Sequence, residues 1–236
     1  MYSLNKLFLK TSQKLEGIPR GNEIQGFLNK YLVLDLDNTL IYTHKNNNLN
    51  YDTTISLNNN DVYLCIRPYA IMFLKNCSKY YNLIVWSAGG YKYIEAIIQK
   101  LFIDNNIPIF LYLDNYFCDI VTIDTHPNLL EYVILDNLEI NNTIFTKTLN
   151  KIIKIILEKD FNYCILNYSL LNYCEFFKNL YYDYEIYLNN ITIVDNLFIN
   201  SINNINNSII VNDYYGDIND NELIIVENLL VENLLV

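Results

Sequence analysis

Apolar residues in this chain fall into short runs that stop abruptly at acidic or small polar residues. Tyr31-Leu32-Val33-Leu34 is followed at once by Asp35, Leu83-Ile84-Val85-Trp86 by Ser87-Ala88-Gly89-Gly90, and Ile191-Thr192-Ile193-Val194 by Asp195-Asn196. Runs of four with no alternation read as strands buried on both faces, the mark of a parallel sheet, whose C-terminal ends deliver side chains into a crevice. Between them, Pro68 can open a helix over Tyr69–Tyr80, and Tyr91 to Phe102 has helical spacing. Thr53–Leu57 and Val62–Ile66 flank Asn58-Asn59-Asn60-Asp61, a hairpin signal. Ser208–Val211 reads as a further strand and Asn219–Leu235 as a closing helix, with a short internal repeat at Val226–Leu230 and Val231–Leu235.

The middle third is harder to read. Ile109–Leu113, Ile120–Ile123 and Tyr132–Leu135 have strand character, and Thr148–Lys159 has helical spacing. Strand and helix alternate from Tyr31 onward, so the pattern predicts an α/β fold with a doubly wound, mostly parallel sheet, a β-hairpin and a variable middle insertion. We expect an N-terminal extension at 1–29, one domain over 30–236, and the insertion at about 105–175.

Composition narrows the partners. The net charge of -10, from 16 basic and 26 acidic residues, argues against a broad nucleic-acid-binding face. A phosphorylated substrate stays compatible, because a bound cation reverses the local field. No run of about 18 apolar residues occurs, so no membrane span is expected, and Met1-Tyr2-Ser3-Leu4-Asn5-Lys6 does not resemble a secretion signal. These features imply a soluble intracellular protein of nucleus or cytoplasm. Five scattered cysteines without a CxxC pair read as reduced thiols. Asparagine makes up roughly a sixth of the chain, beside 22 tyrosines and only 6 glycines. That bias suggests an AT-rich genome, such as a large DNA virus (acting in its host cell) or a parasite.

The candidate chemistry begins at Asp35-Leu36-Asp37-Asn38-Thr39. An acidic turn or a calcium-binding loop has similar letters. Where a strand gives way to a loop, however, both acids can face one crevice. Two carboxylates there repel unless a divalent cation with oxygen ligands joins them, and such a cation attracts phosphate. One acid can then act as nucleophile and the other as general acid and base.

Four further elements make the set more specific. Val33–Ile41 resembles the DLDETL signature of the RNA polymerase II C-terminal-domain phosphatases, which include small CTD phosphatases and NLI-interacting-factor-like relatives of the haloacid-dehalogenase superfamily. Arg67–Leu74 is similar to that family's RPGxxxFL, Ile84–Ala88 with Tyr93 to its VFTAxxxxYA, Ile193–Asn196 to its IVDN, and Tyr215–Leu223 to its closing GDxxDxEL. The resemblance implies a HAD-like Rossmannoid fold and a Mg²⁺-dependent serine/threonine phosphoprotein phosphatase with an aspartyl-phosphate intermediate, acting on a phosphorylated protein or peptide such as the polymerase tail. It implies Asp35 as phosphoryl acceptor, Asp37 as general acid/base and Ser87 as a donor to the phosphoryl group. Asp35, Asp37 (through its backbone carbonyl), Asp195 and Asn196 would hold the Mg²⁺, and Thr39 and Arg67 would serve the substrate. Arg67 at a helix start reads equally well as a structural pair.

The family also supplies a lysine from a KDL segment shortly before IVDN. Lys178-Asn179-Leu180 matches with a fitting distance to Asp195; Lys147-Thr148-Leu149 is a rival with a much longer gap. Spacing favours Lys178. Departures from the pattern are Leu197-Phe198 in place of Ser-Pro, Ser87 in place of threonine, and a longer middle region. His44 and His126 have no paired ligands nearby and read as loop histidines. Two alternatives stand beside the phosphoprotein phosphatase. One is a degenerate, partner-binding member, disfavoured by retention of both Asp35 and Asp37; the other is a phosphatase of nucleic-acid ends or small metabolites.

Overall fold

The run Tyr31–Leu34 forms the central strand, with every residue at 0% exposure, as expected of a strand covered on both faces. The computed structural model describes residues 30–46, 49–58, 60–121, 136, 144–156, 188–200, 205–232 and 234. Its strands are β1 Tyr31–Leu34, β2 Ile41–His44, β3 Thr53–Leu57, β4 Asn60–Ile66, β5 Asn82–Trp86, β6 Leu111–Leu113, β7 Asp119–Val121, β8 Ile144–Thr146, β9 Ile191–Asp195 and β10 Ser208–Ile210. The helices are α1 Ala70–Cys77, α2 Tyr91–Ile98, α3 at 149–156 and α4 Glu222–Glu232.

Five strands build one sheet in the order β10-β9-β1-β5-β6, with every pairing parallel. The chain runs outward from β1 through β5 to β6, then returns to the other side of β1 as β9. That reversal makes the C-terminal edge between β1 and β9 the topological switch point, where such sheets open a crevice. Side-chain alternation divides the core. Leu32, Leu34, Leu83, Val85 and Val194 pack with α1, α2 and α4 on one face. Tyr31, Val33, Ile84, Trp86, Ile191 and Ile193 pack on the other with Leu149, Ile152, Ile153 and Ile156 of α3. Burying each large aliphatic side chain contributes about 1.5–3 kcal/mol, so the two faces lock the sheet between helical layers. The doubly wound α/β class expected from the pattern is the observed one.

Several boundaries differ from the sequence reading. The hairpin is there as β3 and β4, but β2 joins it to make a three-stranded antiparallel sheet, β2-β4-β3. β2 was not expected, because Ile41-Tyr42-Thr43-His44 continues directly from the acidic loop and pairs with β4, beyond the intervening β3 segment. α1 and α4 are shorter than their apolar patterns, and α2 passes at Gln99 into a wider π-helical turn to Ile103. The anticipated strand at 132–135 lies outside the described residues, as do 1–29.

Arg67, which read equally well as a substrate contact and as a structural pair, makes structural pairs in the fold. Its side chain is buried, and its nitrogens point into the protein. Nε and one NH2 hydrogen bond hold Asp220 at 2.9 and 2.8 Å, NH1 donates to the Thr39 carbonyl, and NH2 also donates to the Asn212 carbonyl, both at 2.9 Å. This fork ties the loop after β1 to the closing segment before α4, so Arg67 supports the site from behind. Burial alone would raise the Asp220 pKa, but the Arg67 hydrogen bonds outweigh it and leave Asp220 below its ordinary value. The native carboxylate is therefore favoured relative to the unfolded one. Its contribution is complete above about pH 4 and is lost as pH falls through the depressed native value.

Two outcomes are expected in denaturant unfolding. Asp220→Asn should cost about 3 kcal/mol at neutral pH, since it strands a buried guanidinium, and the deficit should shrink below pH 4; a pH-independent deficit would contradict the charge account. Tyr69 caps α1 at φ 65° with its side chain 48% exposed. It thus sits in the left-handed region at the place of the resembled family's glycine. Tyr69→Gly should stabilise the fold by about 1 kcal/mol, and an unchanged midpoint would rule out strain at this position.

Candidate active site

Each expected acid sits where a parallel strand ends. Asp35 follows β1, its N–H extending the ladder to the Val194 carbonyl at 3.0 Å, and Asp195 is the last residue of the neighbouring β9. The chain then turns sharply, with the N–H groups of Thr39, Leu40 and Ile41 all converging on the Leu36 carbonyl. Asn38 takes φ 58° there, a conformation asparagine tolerates. This turn brings Asp37 back to the edge, beside Ser87 at the end of β5.

The ammonium of Lys147 joins the two strand-end acids. Lys147 is 3% exposed; Nζ donates to Asp35 Oδ1 in a short contact and to Asp195 Oδ2 at 2.7 Å. The lysine follows β8, which pairs antiparallel with β7, and α3 begins two residues later. The lysine that the structure places between the carboxylates is Lys147, the rival in the spacing argument; Lys178, which spacing favoured, lies outside the described residues. A usable signal was present, since Thr143 to Thr146 are all β-branched or aromatic.

Charges at this edge are unevenly matched. Burial pushes the Asp35 carboxyl up, and the nearby Asp195 and Asp37 add to the effect while Lys147 opposes it. Burial pulls Lys147 down, but Asp195 and Asp35 outweigh that and hold its pKa above the ordinary value. Three carboxylates therefore face one ammonium.

Asp37 is held by two hydroxyls. Tyr93 donates to Oδ1 in a short hydrogen bond, and Ser87 Oγ donates to Oδ2 at 3.3 Å while accepting from the Gly89 N–H at 3.0 Å. Burial first, and then the charge of Asp37, raise the Tyr93 pKa, so the phenol keeps its proton and remains a donor. Gly89 makes room for this ring: a Cβ at 89 would stand 2.6 Å from Tyr93 Cδ1 and 3.2 Å from Ser87 Oγ. Sequence reading placed Tyr93 in a motif without assigning it a contact.

Thr39, expected at the substrate, is instead fully buried. Its hydroxyl donates to Asn196 Oδ1 and accepts from the Asn196 N–H, both at 3.1 Å. Asn196 Nδ2 in turn donates to Asp213 at 2.7 Å. Thr39 thus orients Asn196. His44 lies on β2, stacked on Tyr63, while His126, Cys164 and Cys174 lie outside the described residues; Cys65, Cys77 and Cys118 are buried free thiols.

The donor set suits a hard divalent cation in kind. Asp35, Asp37, Asp195 and Asn196 offer only oxygen among their acceptors, and the excess of negative charge is what such an ion relieves. Among the described residues no three acids form a cage. Mg²⁺ does not require one, since it is ordinarily held by one or two carboxylates and completes its shell with other oxygens and water. A further buried oxygen, Asn200 Oδ1, has no partner among the described residues.

This chain is similar to proteins already known. CTD nuclear envelope phosphatase 1 of Xenopus tropicalis and of Xenopus laevis are each 30% identical over 138 residues, or 49% of this chain. The match covers 55% of their length, so the chain spans about half of the curated relatives. Among solved structures, Fcp1, an essential RNA polymerase II CTD phosphatase, aligns over 95% of this chain and 51% of its own at 14% identity and TM-score 0.47. The fission yeast enzyme bound to beryllium fluoride aligns with the same identity and score. No described helix is long and apolar enough to cross a membrane. The family described as NLI interacting factor-like phosphatase matches residues 30–152, the span that carries Asp35, Asp37, Ser87 and Lys147, and this chain belongs to it.

Proposed function

We propose that this chain is a phosphoprotein phosphatase that works through an aspartyl phosphate on Asp35. The observation that carries the reading is the Asp35–Lys147–Asp195 ion triad at the switch point, with Asp37 fastened beside it by Tyr93 and Ser87. A carboxylate oxygen of Asp35 attacks phosphorus, and the bond from phosphorus to the serine or threonine oxygen breaks. Asp37 gives its proton to the departing alkoxide, then takes one from a water that attacks the aspartyl phosphate and releases Asp35. Lys147 balances charge on Asp35 and on the transferring group. The residues that would hold Mg²⁺ are Asp35, the backbone at Asp37, Asp195 and Asn196; the ion would supply electrostatic stabilisation of phosphoryl oxygens. A phosphorylated peptide is the favoured substrate, because the related proteins are named as CTD phosphatases, and the polymerase tail is the first candidate.

The lysine of the site is taken as Lys147 because it lies in the family-matched span and contacts both acids. Thr39 and Arg67 are read as supports of the metal ligands and of the loop, not as substrate contacts.

Hydrolysis of p-nitrophenyl phosphate and of phosphoserine peptides, with and without Mg²⁺, tests the proposal. Wild type should turn over both only with the metal, and Asp35→Asn should fall to background; equal activity of the variant would refute the nucleophile. Lys147→Met should abolish turnover while Lys178→Met preserves it, and the reverse result would return the role to Lys178. Tyr93→Phe should slow the phosphoserine reaction by about 10- to 100-fold, because an alkoxide needs the positioned acid. The aryl ester, whose leaving group needs little protonation, should be far less affected.

A further inference from the structure

Lys147 lies in neither a strand nor a helix. β8 stops at Thr146 and α3 starts at Leu149, whose side chain is buried in the core, so Lys147 and Thr148 form a two-residue joint between them. A lysine carries its ammonium on a long flexible stem, and holding that ammonium between Asp35 and Asp195 requires the base of the stem to be fixed.

One residue of the facing strand spans the joint. Asp119 of β7 pairs through its backbone with Thr146, on the near side of Lys147. On the far side its carboxylate accepts from the Thr148 hydroxyl at 2.7 Å and from the Lys151 ammonium at 2.6 Å. Burial alone would raise the Asp119 pKa, but the hydrogen bonds from Lys151 and Thr148 outweigh it and leave the group below its ordinary value. Lys151 also donates to the Phe117 carbonyl at 3.0 Å, at the end of a turn whose Asn115 N–H donates to the Gly89 carbonyl at 3.1 Å. The cluster thus links the segment of Lys147 to the loop that carries Ser87.

Its exposure limits what it can contribute. The Asp119 and Lys151 side chains are 40% and 38% exposed, and ion pairs so open to water add little to stability. Placement is a different matter, since an error of about 1 Å at a reacting group can cost about 100-fold in rate. The resembled family's KDL carries an acid directly after its lysine. Here that place is Thr148, and a carboxylate reaches it from β7 instead.

We propose that Asp119 is a positioning residue for Lys147: it fixes the joint between β8 and α3 from both sides, so that the ammonium reaches Asp35 and Asp195 together. The inference rests on the role given to Lys147 above.

Steady-state kinetics on a phosphoserine peptide with Mg²⁺, and ¹H–¹⁵N spectra of the lysine ammonium groups, test it on the full chain. Asp119→Ala and Thr148→Val should each lower kcat by about 10- to 100-fold, with KM within about twofold of wild type and the unfolding midpoint little changed. Thr148→Ser, which keeps the hydroxyl, should retain kcat. The Lys147 ammonium, identified by its loss in Lys147→Met, should give a slowly exchanging signal in wild type that broadens or disappears in Asp119→Ala. Thr148→Val supplies both readouts if Asp119→Ala does not fold. Wild-type kcat in Asp119→Ala or Thr148→Val overturns the inference. So does a fall in kcat that leaves the Lys147 signal unmoved, or one that only matches a loss of folded protein. If wild type itself turns over no substrate, the phosphatase reading falls, and the ammonium signal alone decides the role of Asp119.

Discussion

A buried ammonium shared by two buried carboxylates organises this protein's functional edge. Lys147, Asp35 and Asp195 come from segments far apart in sequence, and each would be costly to bury alone. Their mutual attraction fixes the relative positions of the ends of β1, β8 and β9. The remaining interactions at the edge elaborate this arrangement, with Asn200 and Leu197 also donating to Asp195.

Support comes from two polar links behind the acids. Thr39 exchanges hydrogen bonds with Asn196 across β1 and β9, and Arg67 fastens the carbonyl of the same Thr39 to Asp220 in the closing segment. The acidic loop is therefore gripped on its buried side, while Asp37 is held from the open side by Tyr93 and Ser87. Rigid placement of carboxylates that would otherwise repel is the condition for phosphoryl chemistry at such an edge. It also explains why residues that a motif suggests as substrate contacts, Thr39 and Arg67, turn inward: a buried guanidinium with nearly all its donors used has little left for a ligand.

Where the resembled pattern is broken, the structure shows the substitute. Tyr69 adopts the left-handed conformation at α1 without being glycine. Leu197-Phe198 cannot form a Ser-Pro turn, and Asp136 and Asn200 hold that turn with side-chain hydrogen bonds instead. Such replacements fit an asparagine-rich chain, in which short amides and carboxylates take over tasks elsewhere given to glycine and proline.

Much was legible from the chain alone because it depends on local sequence. Buried runs at Tyr31–Leu34, Leu83–Trp86 and Ile191–Val194 read as inner strands, and acids or a hydroxyl directly after them then fall at one sheet edge. The α/β class and the grouping of Asp35, Asp37, Ser87, Asp195 and Asn196 follow from that. Tertiary structure decided what depends on distance through space. Spacing favoured Lys178, but Lys147 is delivered by the β7–β8 pairing and the packing of α3, contacts with no trace in the interval between two motifs. The contact of Tyr93 with Asp37 and the hydrogen bonds of Asn200 to Asp195 are likewise invisible in sequence, and the choice between the two readings of Arg67 lay there too, since each is set by which surfaces meet when the sheet is covered. The Asp35–Lys147–Asp195 triad shows both: its acids could be read from the strand ends, whereas the contact of Lys147, one of two lysines the sequence offered, with both acids appears only in the fold.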